Sequence, residues 1–167
     1  MQRSIPRKLI AAGAELPLSK HVTARVLFPP PDFRGKIADD QALVLQLILP
    51  RDRRVLLMSD SGEATERALL ERCTGLRSDL LIKGQHHSGG SGTAPFLDAV
   101  QPQAIIATAR EPAENQRIKE DWAEMVKQRG IKLLRQDKTG AVSVRFFDDH
   151  WEARPFLEGE TFRSASR

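Results

Sequence analysis

"VLLMSDSGEATERALLERCTGLRSDLLIKGQHHSGG", Val55 to Gly90, is the stretch whose reading decides the fold. An aliphatic run ends in "MSD", a segment of helix formers follows, and a second aliphatic run, "SDLLIKG" (Ser78 to Gly84), leads into "QHHSGG". The helical segment, Gly62 to Cys73, has Ser61 as its predicted N-cap, Glu63 in its first turn and Gly75 as its stop. Strand, helix, strand in this order predicts a layered α/β domain with its sheet buried under helices. Runs of Val, Leu and Ile without strict polar alternation read as strands covered on both faces.

The pattern continues on either side. Upstream, "TARVLF" (Thr23 to Phe28) reads as a strand that ends at Pro29 to Pro31, because proline has no N–H for a paired strand. "QALVLQLIL" (Gln41 to Leu49) and "RVLLMSD" (Arg54 to Asp60), joined by "PRDR", predict a hairpin. Downstream, Thr93 and Pro95 open a helix through Val100, and "AIIATA" (Ala104 to Ala109) is a further strand. Ile118, Trp122, Met125 and Val126 recur at helical spacing along one face, closed by Gly130. "IKLLR" and "AVSVRFF" are expected to finish the sheet, with "WEARPF" as an edge strand. The expected organisation is a single domain over residues 1–156 and a polar, frayed C-terminal tail over 157–167.

Composition narrows the classes. At 167 residues, 40% hydrophobic and 29% charged, the chain is a globular domain rather than a disordered one. Lys and Arg number 26 against 22 acids, and the resulting +4 is spread along the chain, which is compatible with an anionic substrate without arguing for one. Cys73 stands alone, so no intrachain disulfide and no cysteine-built zinc cage can form. No signal peptide is read in "MQRSIPRKLIAAGAELPL", and no stretch approaches the roughly 18 apolar residues of a spanning helix. A soluble chain, cytoplasmic by default, is the expectation.

Two loops carry chemistry-bearing residues. Asp60 ends one aliphatic run, and His86 and His87 follow the next, so both loops should leave the same end of the sheet, where ligands of open α/β sheets collect. One carboxylate and one or two imidazoles are ingredients of a metal site. The same residues have plainer readings: Asp60 as a turn or cap residue, the histidines as solvated side chains, and the Gly and Ser beside them as a flexible connection.

Beyond these patterns, the pieces "DDQALVL" (Asp39 to Leu45), "MSD" (Met58 to Asp60), "IKGQHHSG" (Ile82 to Gly89) and "FLDAVQP" (Phe96 to Pro102) resemble a known family in order and spacing. They are similar to the C-terminal half of the metallo-β-lactamase-like domain of ComEC-type competence proteins, the bacterial DNA-uptake channel family. The likeness runs roughly from Ala12 to Phe147 and takes in "GIKLLRQDKTGAVSV". It implies a metallo-β-lactamase-like layered sandwich, of which this chain holds only the C-terminal portion of the full αββα domain. It also implies metal-dependent hydrolysis of a phosphodiester in nucleic acid. On this resemblance Asp60, His86 and His87 are the catalytic and metal residues, with zinc or manganese as the ion, and Asp40 supports the ligands from behind. Ser88, Gly89 and Gly90, in the Gly/Ser loop, would offer backbone N–H groups to phosphate.

The departures shape the expected activity. The "HxHxDH" cluster that defines the superfamily is absent: the four histidines are His21, His86, His87 and His150, and none sits in that pattern. A catalytic zinc needs three protein ligands plus water, and two ions need more. The chain is therefore expected to hydrolyse poorly or not at all by itself. Three accounts remain open: half of a split or truncated protein, a degenerate domain without metal, or a chain completed by a partner. The rival reading is a non-catalytic interaction module that docks on a partner chain or a second copy across an uncovered sheet face.

Overall fold

Alternate side chains of the aliphatic runs go to opposite faces of one sheet, and both faces are covered. The computed structural model describes residues 9–35, 37–84, 90–108 and 117–165. Seven strands form the large sheet: β1 (Glu15–Ser19), β2 (Val22–Phe28), β3 (Val44–Leu49), β4 (Arg53–Leu57), β5 (Leu80–Lys83), β6 (Ala104–Ala107) and β7 (Lys132–Arg135), in that spatial order. The strands β1 to β4 meander antiparallel, whereas β4 to β7 run parallel.

In the parallel part the register is regular. Leu56, Leu81 and Ile105 lie side by side in one row and face the helices. Val55, Leu80 and Ala104, one residue earlier, face the other way. A period of two in a sequence that is apolar at every position buries both faces, which is the physical content of the unbroken aliphatic runs.

Helices α1 (Glu63–Arg72), α2 (Ala94–Val100) and α3 (Glu120–Gln128) supply the first cover. Leu69, Phe96, Leu97, Val100 and Val126 pack on Phe28, Val44, Leu56, Leu81 and Ile105. Ile118 is buried just before α3, and Trp122, Ala123 and Met125 complete that face.

The second face departs from expectation. The run "AVSVRFF" does not finish the large sheet: β8 (Val142–Phe146), β9 (Trp151–Pro155) and β10 (Phe162–Arg163) form a separate three-stranded antiparallel sheet. A short helix, α4 (Gln136–Thr139), turns the chain out of the large sheet between β7 and β8. Val142, Val144 and Phe146 point inward and Ser143 and Arg145 outward, so one face of the small sheet is apolar and packs with Trp151 and Ala153 on the large one. "WEARPF" is accordingly the central strand of this sheet rather than an edge of the other. The expected fraying after Leu157 also gives way, since Phe162 pairs with Ala153 and the Ser164 hydroxyl accepts from Trp151 N–H.

The result is a layered α/β arrangement of helices, large mixed sheet and small sheet. Among the described residues no helix is long and apolar enough to cross a membrane.

Candidate functional site

The loops of interest leave the C-terminal ends of β4 and β5. These strands are parallel neighbours with Leu57 opposite Ile82, so their exits are adjacent. The pairing continues past the strands: Met58 N–H donates to Ile82 O at 2.9 Å and Gly84 N–H to Ser59 O at 2.7 Å. Ser59 has φ 51°, a left-handed conformation that turns the chain sharply and leaves Asp60 exposed beside Gly84. A methyl group on Gly84 would collide with Asp60 Oδ1 and the Ser59 carbonyl. Glycine is required there because the two loops touch.

His86, His87, Ser88 and Gly89 lie outside the described residues. What is described are the two ends of their segment. Gly84 rests on Asp60 at one end, and at the other the Gly90 carbonyl accepts from Glu63 N–H at 3.1 Å. The predicted cap is corrected: Gly62 is the N-cap of α1 and makes no side-chain cap bond. Ser61 instead donates its hydroxyl to Met58 O at 2.6 Å, because the tight turn after β4 brings that carbonyl closer than the helix amides. Thr93 keeps its position as N-cap of α2, likewise without a side-chain cap bond.

Three residues hold this corner together: Glu66 and Lys83, which sequence reasoning passed over, and Trp122, which it read only as part of a helix face. Glu66 on α1 is buried, and its carboxylate accepts from Gly92 N–H, from Thr93 N–H at 2.9 Å and from Thr93 Oγ1 at 2.8 Å. Trp122 on α3 donates its indole N–H to Gly92 O at 2.8 Å, and a Cβ on Gly92 would stand only 2.8 Å from that ring. Lys83, the last residue of β5, is 5% exposed; its Nζ donates to Gly84 O at 3.2 Å and sits 4.9 Å over the Trp122 ring. Burial pushes the Lys83 ammonium down to about 8, and the nearby Glu66 carboxylate offsets part of that. A lysine ending an aliphatic strand directly before glycine was the available signal. Glu66 had none, since a glutamate among helix formers reads as solvated.

Asp40 lies in a 3-10 turn, Asp39–Gln41, that precedes β3. Because Leu45 pairs with Leu57, this turn is at the same end of the sheet as Asp60. The other two histidines are at the opposite end. His21 is in the β1–β2 turn, where β2 begins alongside the end of β3. His150 follows a turn whose Asp148 pairs with Arg51 of the β3–β4 connection at 3.6 Å, and its own ring nitrogens meet Asp149 at 2.6 Å and Glu152 at 3.1 Å. Strands of five residues separate the two ends by roughly 16 Å. His21 and His150 therefore cannot join Asp60.

Among the described residues no group of three or more His, Cys, Asp or Glu could hold a metal ion. Asp60 is a single carboxylate. With His86 and His87 added the donors number three, the count a single catalytic zinc takes beside its water and too few for a two-metal centre.

No family model matches the chain. Among curated proteins, "Competence protein ComA" of Neisseria gonorrhoeae is 27% identical over 139 residues, covering 75% of this chain and 20% of that protein. This likeness supports a relation to competence proteins. The chain spans about one fifth of the length of that relative, so the relative's full activity is not carried over with the similarity.

Proposed function

We propose that this chain is a competence-related domain of the metallo-β-lactamase-like class, acting in DNA uptake. Its Asp60 loop and "QHHSGG" loop form one side of a metal-and-phosphate site. The observation that carries the reading is the close seat of Gly84 on Asp60, which brings the carboxylate to the start of the segment holding His86 and His87. The stacking of helices, large sheet and small sheet is compatible with part of an αββα sandwich.

In this reading Asp60, His86 and His87 would bind a divalent ion such as zinc or manganese, and Ser88, Gly89 and Gly90 would meet phosphate oxygens through backbone N–H groups. A bound ion would supply Lewis acidity toward a phosphodiester. These three donors are too few for a two-metal centre and the "HxHxDH" cluster is absent, so the chain alone is a poor phosphodiesterase or none. The alternative is a non-catalytic binding or interaction module that docks to a partner or to a second copy.

Metal analysis of the purified chain, combined with a bis(p-nitrophenyl) phosphate assay under added zinc or manganese, tests the proposal. Less than one tightly held ion per chain and no turnover sensitive to Asp60→Ala are expected. Two tightly held ions with turnover abolished in Asp60→Ala would overturn it.

A further inference from the structure

At the far end of the large sheet, away from Asp60, a cleft of about 420 Å³ opens between the β3–β4 connection and the end of β8. Arg53 lines it and is 2% exposed. Its Nε and Nη1 are buried and, among the described residues, have no hydrogen-bond partner. The side chain lies on the sheet face that carries Val55, in the apolar layer between the two sheets. Two of the three guanidinium nitrogens there have lost their water without gaining a carboxylate among the described residues, and an unmatched buried charge is costly. Such an orphaned donor calls for an acceptor that protein atoms do not supply.

The surroundings indicate which acceptor. Arg51 stands at the rim, held in a left-handed conformation with φ 62°, and Asp52 follows with φ 54°. Aspartate tolerates that region but arginine seldom adopts it, and such strain persists where the surrounding structure holds it. Arg51 pairs across 3.6 Å with Asp148, which also lines the cleft; both are largely exposed, an arrangement that an incoming anion can replace at little cost. Two guanidinium forks facing one cleft suit the several oxygens of a phosphoryl group. Phe146 and Phe147 also line the cleft, which is larger than a bare phosphate needs. We propose that this cleft binds a phosphate monoester, its phosphoryl group on Arg53 and Arg51 and its organic part against Phe146 and Phe147.

Phenyl phosphate and inorganic phosphate are the probes, with sodium chloride at equal ionic strength as the control. Thermal unfolding of the full chain should rise saturably with phenyl phosphate, less with phosphate and not with chloride. Arg53→Met should abolish the response while unfolding at the same or a higher temperature, and Arg53→Lys should weaken binding at least tenfold. The Arg53 Nε–H resonance of the wild-type chain should shift on titration, which decides the matter even where the variants do not fold. A stationary Arg53 Nε–H under millimolar phenyl phosphate, or an Arg53→Met response within twofold of wild type, would mean that no anion reaches this guanidinium, and the proposal fails. The site is remote from Asp60, so its failure says nothing about the metal loop.

Discussion

Lys83 shows how one residue's position sets a measurable property. It ends an aliphatic strand, and the chain that follows must turn at Gly84 against Asp60, so the ammonium is trapped under α3 instead of reaching water. Its folded value of about 8 lies below the ordinary 10.5. Between these two values the unfolded chain binds the extra proton, so stability rises with pH across that window. Below about 8 both states are charged and the whole cost of burial is present. Denaturant unfolding should show a gain of up to roughly 3 kcal/mol from pH 8 to 10.5. Lys83→Met should remove this slope; a wild-type curve parallel to that of Lys83→Met would refute the assignment. Asp60, by contrast, was legible from its place after "VLLMS", because a polar residue that ends a buried strand must lie at the sheet's rim.

At the scale of elements, the joint between α1 and α2 depends on Glu66. The helix buries Thr65, Glu66 and Leu69, although little in its composition marks such an inward face. Glu66→Ala would leave the Gly92 and Thr93 amides without their acceptor, at a cost of about 2 kcal/mol. Hydrogen exchange should then speed up at Gly92 and Thr93 while the amides of β5 and β6 stay protected. Unchanged exchange at those two positions would show that the carboxylate does not hold the loop. The helices themselves were readable from capping and stop signals, Thr93 and Gly130 among them. Glu66 was not, because nothing local distinguishes a carboxylate that faces a neighbouring loop from one that faces water.

For the whole molecule, the second sheet decides which surfaces remain free. The uncovered sheet face expected of a partial domain is occupied by β8, β9 and β10. Trp151 is fully buried at its centre, with ring centroids 6.0 Å from Phe146 and 5.1 Å from Phe162. Trp151→Ala should cost about 3–5 kcal/mol, a range typical of large cavities in cores. Denaturant unfolding would read this as a lower midpoint at similar slope, whereas a loss below about 1 kcal/mol would mean the small sheet is merely appended. Docking on a partner through the large sheet would thus require displacing this layer first. Such a cost weighs against simple self-association across that face.

The amino-acid sequence by itself determined where most strands and helices lie, that the central strands are buried on two faces, and that Asp60 and Gly84 end neighbouring strands. Those features follow from local rules: side-chain period, proline and glycine geometry, and the adjacency that a βαβ unit imposes. Only the tertiary structure decided that β8 leaves the large sheet, that Phe162 and Arg163 pair with β9, and that His21 and His150 sit a sheet's length from Asp60. It also decided that Arg53, Glu66 and Lys83 are buried, against the usual preference of their side chains for water. The reason is that a strand's tendency to form is a local property. Its partner, and what comes to cover a charged side chain, are settled by contacts between residues far apart in the chain.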